Sequence, residues 1–149
     1  MALRRIFGED DEILRKRARE VTKFDDKLAC LLDDMKETMI NADGIGLAAP
    51  QVGLLRRAAI IDADGVYLEM INPKIIKAEG EQIGVEGCLS VNPSKNCKVL
   101  RPQEVLLEAY DRHGKKYRKE LKDLAARACC HELDHLEGIL FYDRKHDEE

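Results

Sequence analysis

The sequence predicts an α+β fold in which antiparallel strands pack around a C-terminal helix, with another helix near the N-terminus. Three observations carry this. Leu28, Leu31, Leu32, Met35 and Met39 recur at three- and four-residue steps within Phe24 to Asp43, the spacing that lines one face of a helix. The middle of the chain divides into short apolar runs separated by Gly, Pro, Asn and Asp, as strands and turns do. Near the end, Leu124 to Cys130 runs without Gly or Pro into His131-Glu132-Leu133-Asp134-His135. Helix, strands and helix in that order, rather than in alternation, argue against a parallel α/β sheet.

Length and composition bound the function. At 149 residues, 44% apolar and 36% charged, the chain fits one domain, 1–149, with its own core. A net charge of -4 argues against a nucleic-acid surface, which needs clustered Lys and Arg. The one basic cluster, Arg15-Lys16-Arg17-Ala18-Arg19, is flanked by acidic blocks and reads as a solvated face. No window approaches the roughly 20 apolar residues of a membrane span, and the first residues lack the apolar stretch of a signal peptide. The expectation is a cytoplasmic protein with no membrane association. Five cysteines (Cys30, Cys88, Cys97, Cys129, Cys130) without a C-x-x-C pattern do not read as a disulfide framework.

Taken in order, Glu9 to Val21 reads as a charged loop or short helix against the core. The helix at Phe24 to Asp43 has Asp25 as its N-cap and stops at Asn41-Ala42-Asp43-Gly44. The stretch Gly44 to Gly53 is small, apolar and Gly-rich around one amide, Gln51. It is no phosphate cradle, because no Gly-Lys-Ser/Thr follows; its glycines let backbone approach a ligand closely. Arg57 to Asp62 and Val66 to Ile71 read as strands joined by a turn, Asn72-Pro73 as another turn, and Lys74 to Ala78 as a third short strand. Gly84 to Val91 leads into an irregular loop, Asn92 to Asn96. Val105 to Tyr110 and Lys116 to Leu121 form a hairpin across Asp111 to Gly114. The last helix starts with Asp123 as N-cap and ends at Gly138, before a charged tail, Asp143 to Glu149.

The H-E-x-x-H spacing places His131 and His135 one helical turn apart, where both can grip one metal ion. Glu132, at the edge of that face, can reach a water at the metal without acting as a ligand. A catalytic site needs a third ligand and an open position. The extended zinc-peptidase pattern would put a His at position 141, which is Phe141, and too little chain follows His135 for a downstream Glu. His113 falls in a turn, and Cys130 would point away from the metal. Cys88, where a strand ends, is the leading candidate; on its own it would read as a small buried hydrophobe.

Three segments together, Gly44-Ile45-Gly46-Leu47-Ala48-Ala49-Pro50-Gln51, Glu86-Gly87-Cys88-Leu89-Ser90 and His131-Glu132-Leu133-Asp134-His135, resemble the signature motifs of peptide deformylases, in the family's order. The likeness extends through Arg101-Pro102 and Gly138-Ile139-Leu140-Phe141. It implies a hydrolase that removes the N-terminal formyl group from formyl-methionyl nascent peptides and releases formate. It implies Cys88, His131 and His135 as ligands to one divalent metal, natively Fe²⁺, with Zn²⁺, Ni²⁺ or Co²⁺ also accepted. It assigns Glu132 as general base and then acid, with the Gln51 amide and the Leu89 N–H stabilising the oxyanion. Backbone at Ile45, Gly46, Glu86 and Gly87 would pair with an extended substrate at the ribosome. Arg127, four residues before His131, and Gly84 fall near the pocket for the substrate's first side chain. The expectation there is either a wider, more polar pocket that takes a residue other than Met, or an Arg127 whose stem forms an apolar wall while its head snorkels out. Lys95 could steady the substrate backbone. A zinc peptidase and a formyl-peptide binder without turnover are the less favoured readings.

Overall fold

The computed structural model describes residues 2–147; Met1 and the last two residues of the charged tail lie outside that range. Helix α1 spans Asp26–Asn41, and Asp25 caps it by accepting a hydrogen bond from the Leu28 N–H. Seven strands follow: β1 (Gly46–Ala48), β2 (Ala58–Ala63), β3 (Val66–Glu79), β4 (Gln82–Glu86), β5 (Cys97–Arg101), β6 (Glu104–Tyr110) and β7 (Lys116–Lys122). Helix α2 spans Asp123–Leu136. The strands make a five-stranded sheet in the order β1-β2-β3-β6-β7 and a separate hairpin, β4-β5, with every pairing antiparallel. The result is a mixed fold of antiparallel sheets with two helices.

Strand β2 shows how the layers are built. Side chains alternate across a strand, and Ala58 and Ile60 pack with the Leu/Met face of α1. Ala59 and Ile61 pack on the opposite side with Ala126, Cys129 and Leu136 of α2. The β1–β2 end of the sheet is thus held between the two helices. These four of the six β2 residues are fully buried, each large aliphatic contributing about 1.5–3 kcal/mol by leaving water.

Three details differ from the sequence reading. Val66 to Ala78 is one strand rather than two separated by a turn. Asn72 takes a left-handed φ of 49°, and the register shifts there and again between Ile75 and Lys77, so the Asn-Pro step makes a bulge instead of a break. The sequence reading ends a strand near Cys88 but assigns none to Cys97–Arg101, which is β5 and pairs with β4. Asp123 does not cap α2: Lys122 occupies the cap position without a side-chain bond, and the Asp123 carboxylate instead accepts from the Gln103 amide.

The N-terminal segment is tied down by charge. Asp34 of α1 accepts from the Ala2 N–H at 2.7 Å and from Arg4 Nε at 2.9 Å. The Ala2 bond holds its carboxyl below the ordinary value of 3.8; burial opposes this and the Arg4 bond assists it. A carboxylate with a lowered folded-state pKa adds stability above its unfolded pKa and loses it as pH falls through the folded value. Wild type should therefore lose urea resistance between about pH 4 and pH 2 more steeply than Asp34→Asn. Parallel stability curves for the two proteins across that range would contradict this role.

Candidate metal centre

Three segments distant in sequence meet at the middle of α2. Ligand atoms of Cys88, His131 and His135 all lie within 4.8 Å of one another, and Cys88 Sγ stands 3.3 Å from His135 Nε2. The helical repeat explains the two histidines: their rings meet edge to face with centroids 5.1 Å apart. Cys88 lies two residues past the end of β4, which brings its sulfur to the same histidines.

Each ring is turned by what its other nitrogen does. His131 Nδ1 bonds Glu86 Oε1 at 2.9 Å, which leaves Nε2 for the cluster. Its outer face stacks on Phe141, the residue standing where the extended peptidase pattern would have a third His. His135 is fully enclosed, and its Nδ1 has no partner among the described residues. Burial first, and then the positive charges of His131 and Arg101, push its pKa well below the usual value, so it is the neutral imidazole a metal requires. For His131 burial acts downward but is outweighed by the bond to Cys88, the nearby Glu132 charge and the bond to Glu86, which raise it to about 10. One sulfur and two imidazoles suit a divalent transition metal with a position to spare.

Glu132 is buried beside the cluster, and its Oε1 has no partner among the described residues. Burial is the main reason its carboxyl is raised to about 7, a value suited to taking and returning a proton near neutrality. Its other oxygen rests against Gly46 of β1, where even a Cβ would overlap Oε2. Gln51 is buried as well. Its Oε1 accepts from the Ala48 N–H at 2.9 Å, which fixes the amide so that Nε2 donates to Ser90 Oγ at 3.0 Å and lies 3.4 Å from Cys88 Sγ. The amide predicted from sequence thus stands beside the candidate metal ligands.

A cleft of about 330 Å³ opens from the cluster. Ile45, Gly46, Glu86, Gly87, Leu89 and Arg127 all border it, as do His131 and Glu132. Strands β1 and β4 are edge strands of their two sheets, and their residues flank this gap. Gly84 does not border the cleft; it lies beneath the Arg127 guanidinium. Lys95 turns away to pair with Glu9, so it does not reach toward a substrate. Cys130 packs against the core as expected, and burial raises its thiol to about 11.

The sequence reading missed the set of charges behind the histidines. Glu86 accepts a two-pronged bond from Arg101, with both contacts at 2.9 Å, a further bond from Arg127, and the His131 contact. Arg101 continues to Asp134 at 2.7 Å. Burial opposes the Glu86 charge, but the bonds from Arg101 and His131 outweigh it and hold the carboxyl at about 2. The available signal was a Glu two residues before the candidate Cys, together with the isolated Arg101-Pro102 step.

A Cys-His-His cluster that could hold a metal, with a buried carboxylate beside it and a cleft between two sheet edges, is the arrangement of a metal-dependent hydrolase, here on a mixed fold of antiparallel sheets and helices. The polypeptide deformylase family profile matches residues 3–149, and the chain belongs to that family. The peptide deformylase of Caldicellulosiruptor bescii is 56% identical over 144 residues, covering 97% of this chain and 86% of the relative. The crystal structure of peptide deformylase from Thermotoga maritima superimposes with a TM-score of 0.94 at 38% identity, covering 97% of this chain and 99% of that one. The Synechococcus elongatus enzyme in complex with actinonin gives 0.90 at 40% identity, covering 96% and 79%. The chain is thus an enzyme with deformylase activity, acting on formylated peptides in protein N-terminal processing.

The close fit of Glu132 against β1 gives a direct test. Gly46→Ala should bind metal normally yet lose roughly 10–100-fold in turnover, because the Cβ displaces the carboxylate. Turnover within about twofold of wild type would show that the fit is not needed.

Proposed function

We propose that the chain, acting as one domain over 1–149, hydrolyses the formyl group from formyl-methionine at the head of nascent chains, releasing formate. In this reading α2, with its H-E-x-x-H, is the central element of the fold. Cys88, His131 and His135 hold one divalent cation, natively Fe²⁺, with Zn²⁺, Ni²⁺ or Co²⁺ as substitutes. The observation that carries the reading is the juxtaposition of the three donor atoms with a buried, unpartnered Glu132 oxygen.

When bound, the cation supplies Lewis acidity and makes water a competent nucleophile near neutral pH. Glu132 takes the proton of the attacking water and delivers it to the amine nitrogen as the formyl C–N bond breaks. The Gln51 Nε2–H and the Leu89 N–H donate to the oxygen that gains charge during attack. Backbone at Ile45–Gly46 and at Glu86–Gly87 receives the peptide as an added strand.

The first side chain of the substrate would be Met. The Arg127 guanidinium faces Glu86 and backbone carbonyls, so what it offers the cleft is its hydrocarbon stem. This departs from the snorkelling alternative, because the head is buried rather than solvated. No described helix is long and apolar enough to cross a membrane, which fits the cytoplasm, where nascent chains emerge from ribosomes.

One anaerobic assay series tests this. Wild type should release formate from formyl-Met tripeptides faster than from formyl-Glu tripeptides, and chelation should abolish release until metal is restored. Glu132→Gln should retain metal and lose about 10²–10⁴-fold in turnover. Undiminished turnover in Glu132→Gln, or a preference for formyl-Glu, would overturn the corresponding assignment.

A further inference from the structure

The hairpin β4-β5 is a two-stranded piece outside the main sheet, and such a piece is marginal without support from elsewhere. It also carries one wall of the cleft, at Val85, Glu86 and Gly87. Its position relative to α2 therefore decides whether an incoming strand meets the metal at the right depth.

Three α2 side chains span this junction: His131 bonds Glu86, Asp134 accepts from Arg101, and Arg127 reaches backbone on both strands. Its Nη1 donates to the Gly84 carbonyl at 3.3 Å, to the Val99 carbonyl at 3.2 Å and to Glu86 Oε2; its Nη2 donates to the Gln82 carbonyl at 3.4 Å. One guanidinium thus holds both strands of the hairpin and the last side chain of β4. Gly84 makes the approach possible. A Cβ there would lie 3.2 Å from Nη2, 3.3 Å from Cζ and 3.5 Å from Nε, so the flat group rests on the bare Cα. Arg127 is only 7% exposed, and a planar fork suits such a multi-acceptor site better than an ammonium does.

We propose that Arg127 is a positioning residue that docks the β4-β5 hairpin, and with it the substrate-pairing edge at Val85–Gly87, onto the metal-bearing helix. It selects no first side chain by charge and takes no part in proton transfer. The proposal rests on the strand-pairing reading above, and it predicts that affinity for residues beyond the first depends on Arg127. Other contacts keep the hairpin folded without it: Arg101 still holds Glu86, and the Gln82 amide still reaches the Pro102 and Asp123 carbonyls.

Arg127→Met keeps a stem and removes the fork; Arg127→Lys keeps the charge and serves as a second variant should the first not fold. Each is compared with wild type on a formyl-Met tripeptide and on formyl-Met amide, which has no further residues to pair. The ratio of kcat/KM between tripeptide and amide should fall about tenfold, mainly through KM, with metal content unchanged. Gly84→Ala, which pushes the fork aside, should lower the same ratio about threefold and add little on top of Arg127→Met. Hydrogen exchange in residues 82–86 and 97–101 should quicken in the Arg127 variants, while that in β2 and β3 should not. Equal losses on both substrates, an unchanged ratio, full additivity with Gly84→Ala or unaltered hairpin exchange would each overturn the proposal. Failure of wild type to release formate would overturn the deformylase reading instead, and hairpin exchange would still report the docking.

Discussion

The Glu86 carboxylate is buried where β4 meets α2, and two guanidiniums and an imidazole converge on it. Burying a lone carboxylate is prohibitive, and removing one partner from such a group typically costs about 3–5 kcal/mol. The chain therefore has to bring Arg101 from β5, Arg127 and His131 from α2, and Glu86 from β4 to one point. Once they meet, His131 is turned with Nε2 toward Cys88, and the hairpin carrying the cysteine motif is fixed against the helix carrying the histidines. Asp134, within the H-E-x-x-H segment, extends the same set by holding Arg101 and Arg144. The candidate metal ligands are thus oriented by a charge cluster whose members Glu86 and Arg127 also border the cleft.

On the cleft side, close backbone approach takes over from charge. Gly46 lets β1 come up against Glu132, and a Cβ at Gly44 would overlap Leu89. Backbone hydrogen bonds from the N-terminal segment join the two loops that flank the candidate ligands: Phe7 N–H donates to the Gln51 carbonyl at 2.7 Å, and Glu9 N–H to the Ser90 carbonyl at 2.8 Å. The Gln51 amide, with its carbonyl oxygen fixed by Ala48, then needs no rearrangement to face the sulfur. Such preorganised donors are what oxyanion stabilisation requires.

How far the sequence reveals all this depends on whether local pattern and tertiary role agree. In α1 they agree: the Leu/Met stripe is the buried face and Asp25 is the cap. In the H-E-x-x-H segment they also agree, since the spacing that marks the motif is the spacing that aligns the rings. In the hairpin they oppose each other. Ile83, Val85 and Leu100 face outward, while Glu86 and Arg101 are buried, which inverts the alternation by which a strand is recognised. Only the pairing of buried charges across the two strands and α2 makes that pattern stable, and no local window contains all the partners. Asn72-Pro73 misleads for a related reason: a dipeptide that commonly ends a strand here makes a bulge within one. The direction of Arg127 was likewise hidden, because it depends on a bare Cα at Gly84 and a carboxylate at Glu86, both on a separate hairpin.

The central claim is that one sulfur and two imidazoles, drawn from two elements that the Glu86 cluster holds together, share one cation. X-ray absorption on the anaerobically metal-loaded protein tests it most directly. The account predicts one ion per chain, with one sulfur scatterer at about 2.3 Å and nitrogen scatterers near 2.0–2.1 Å if zinc is loaded, and with the sulfur lost in Cys88→Ala. A first shell of nitrogen and oxygen only, unchanged by that substitution, would contradict it.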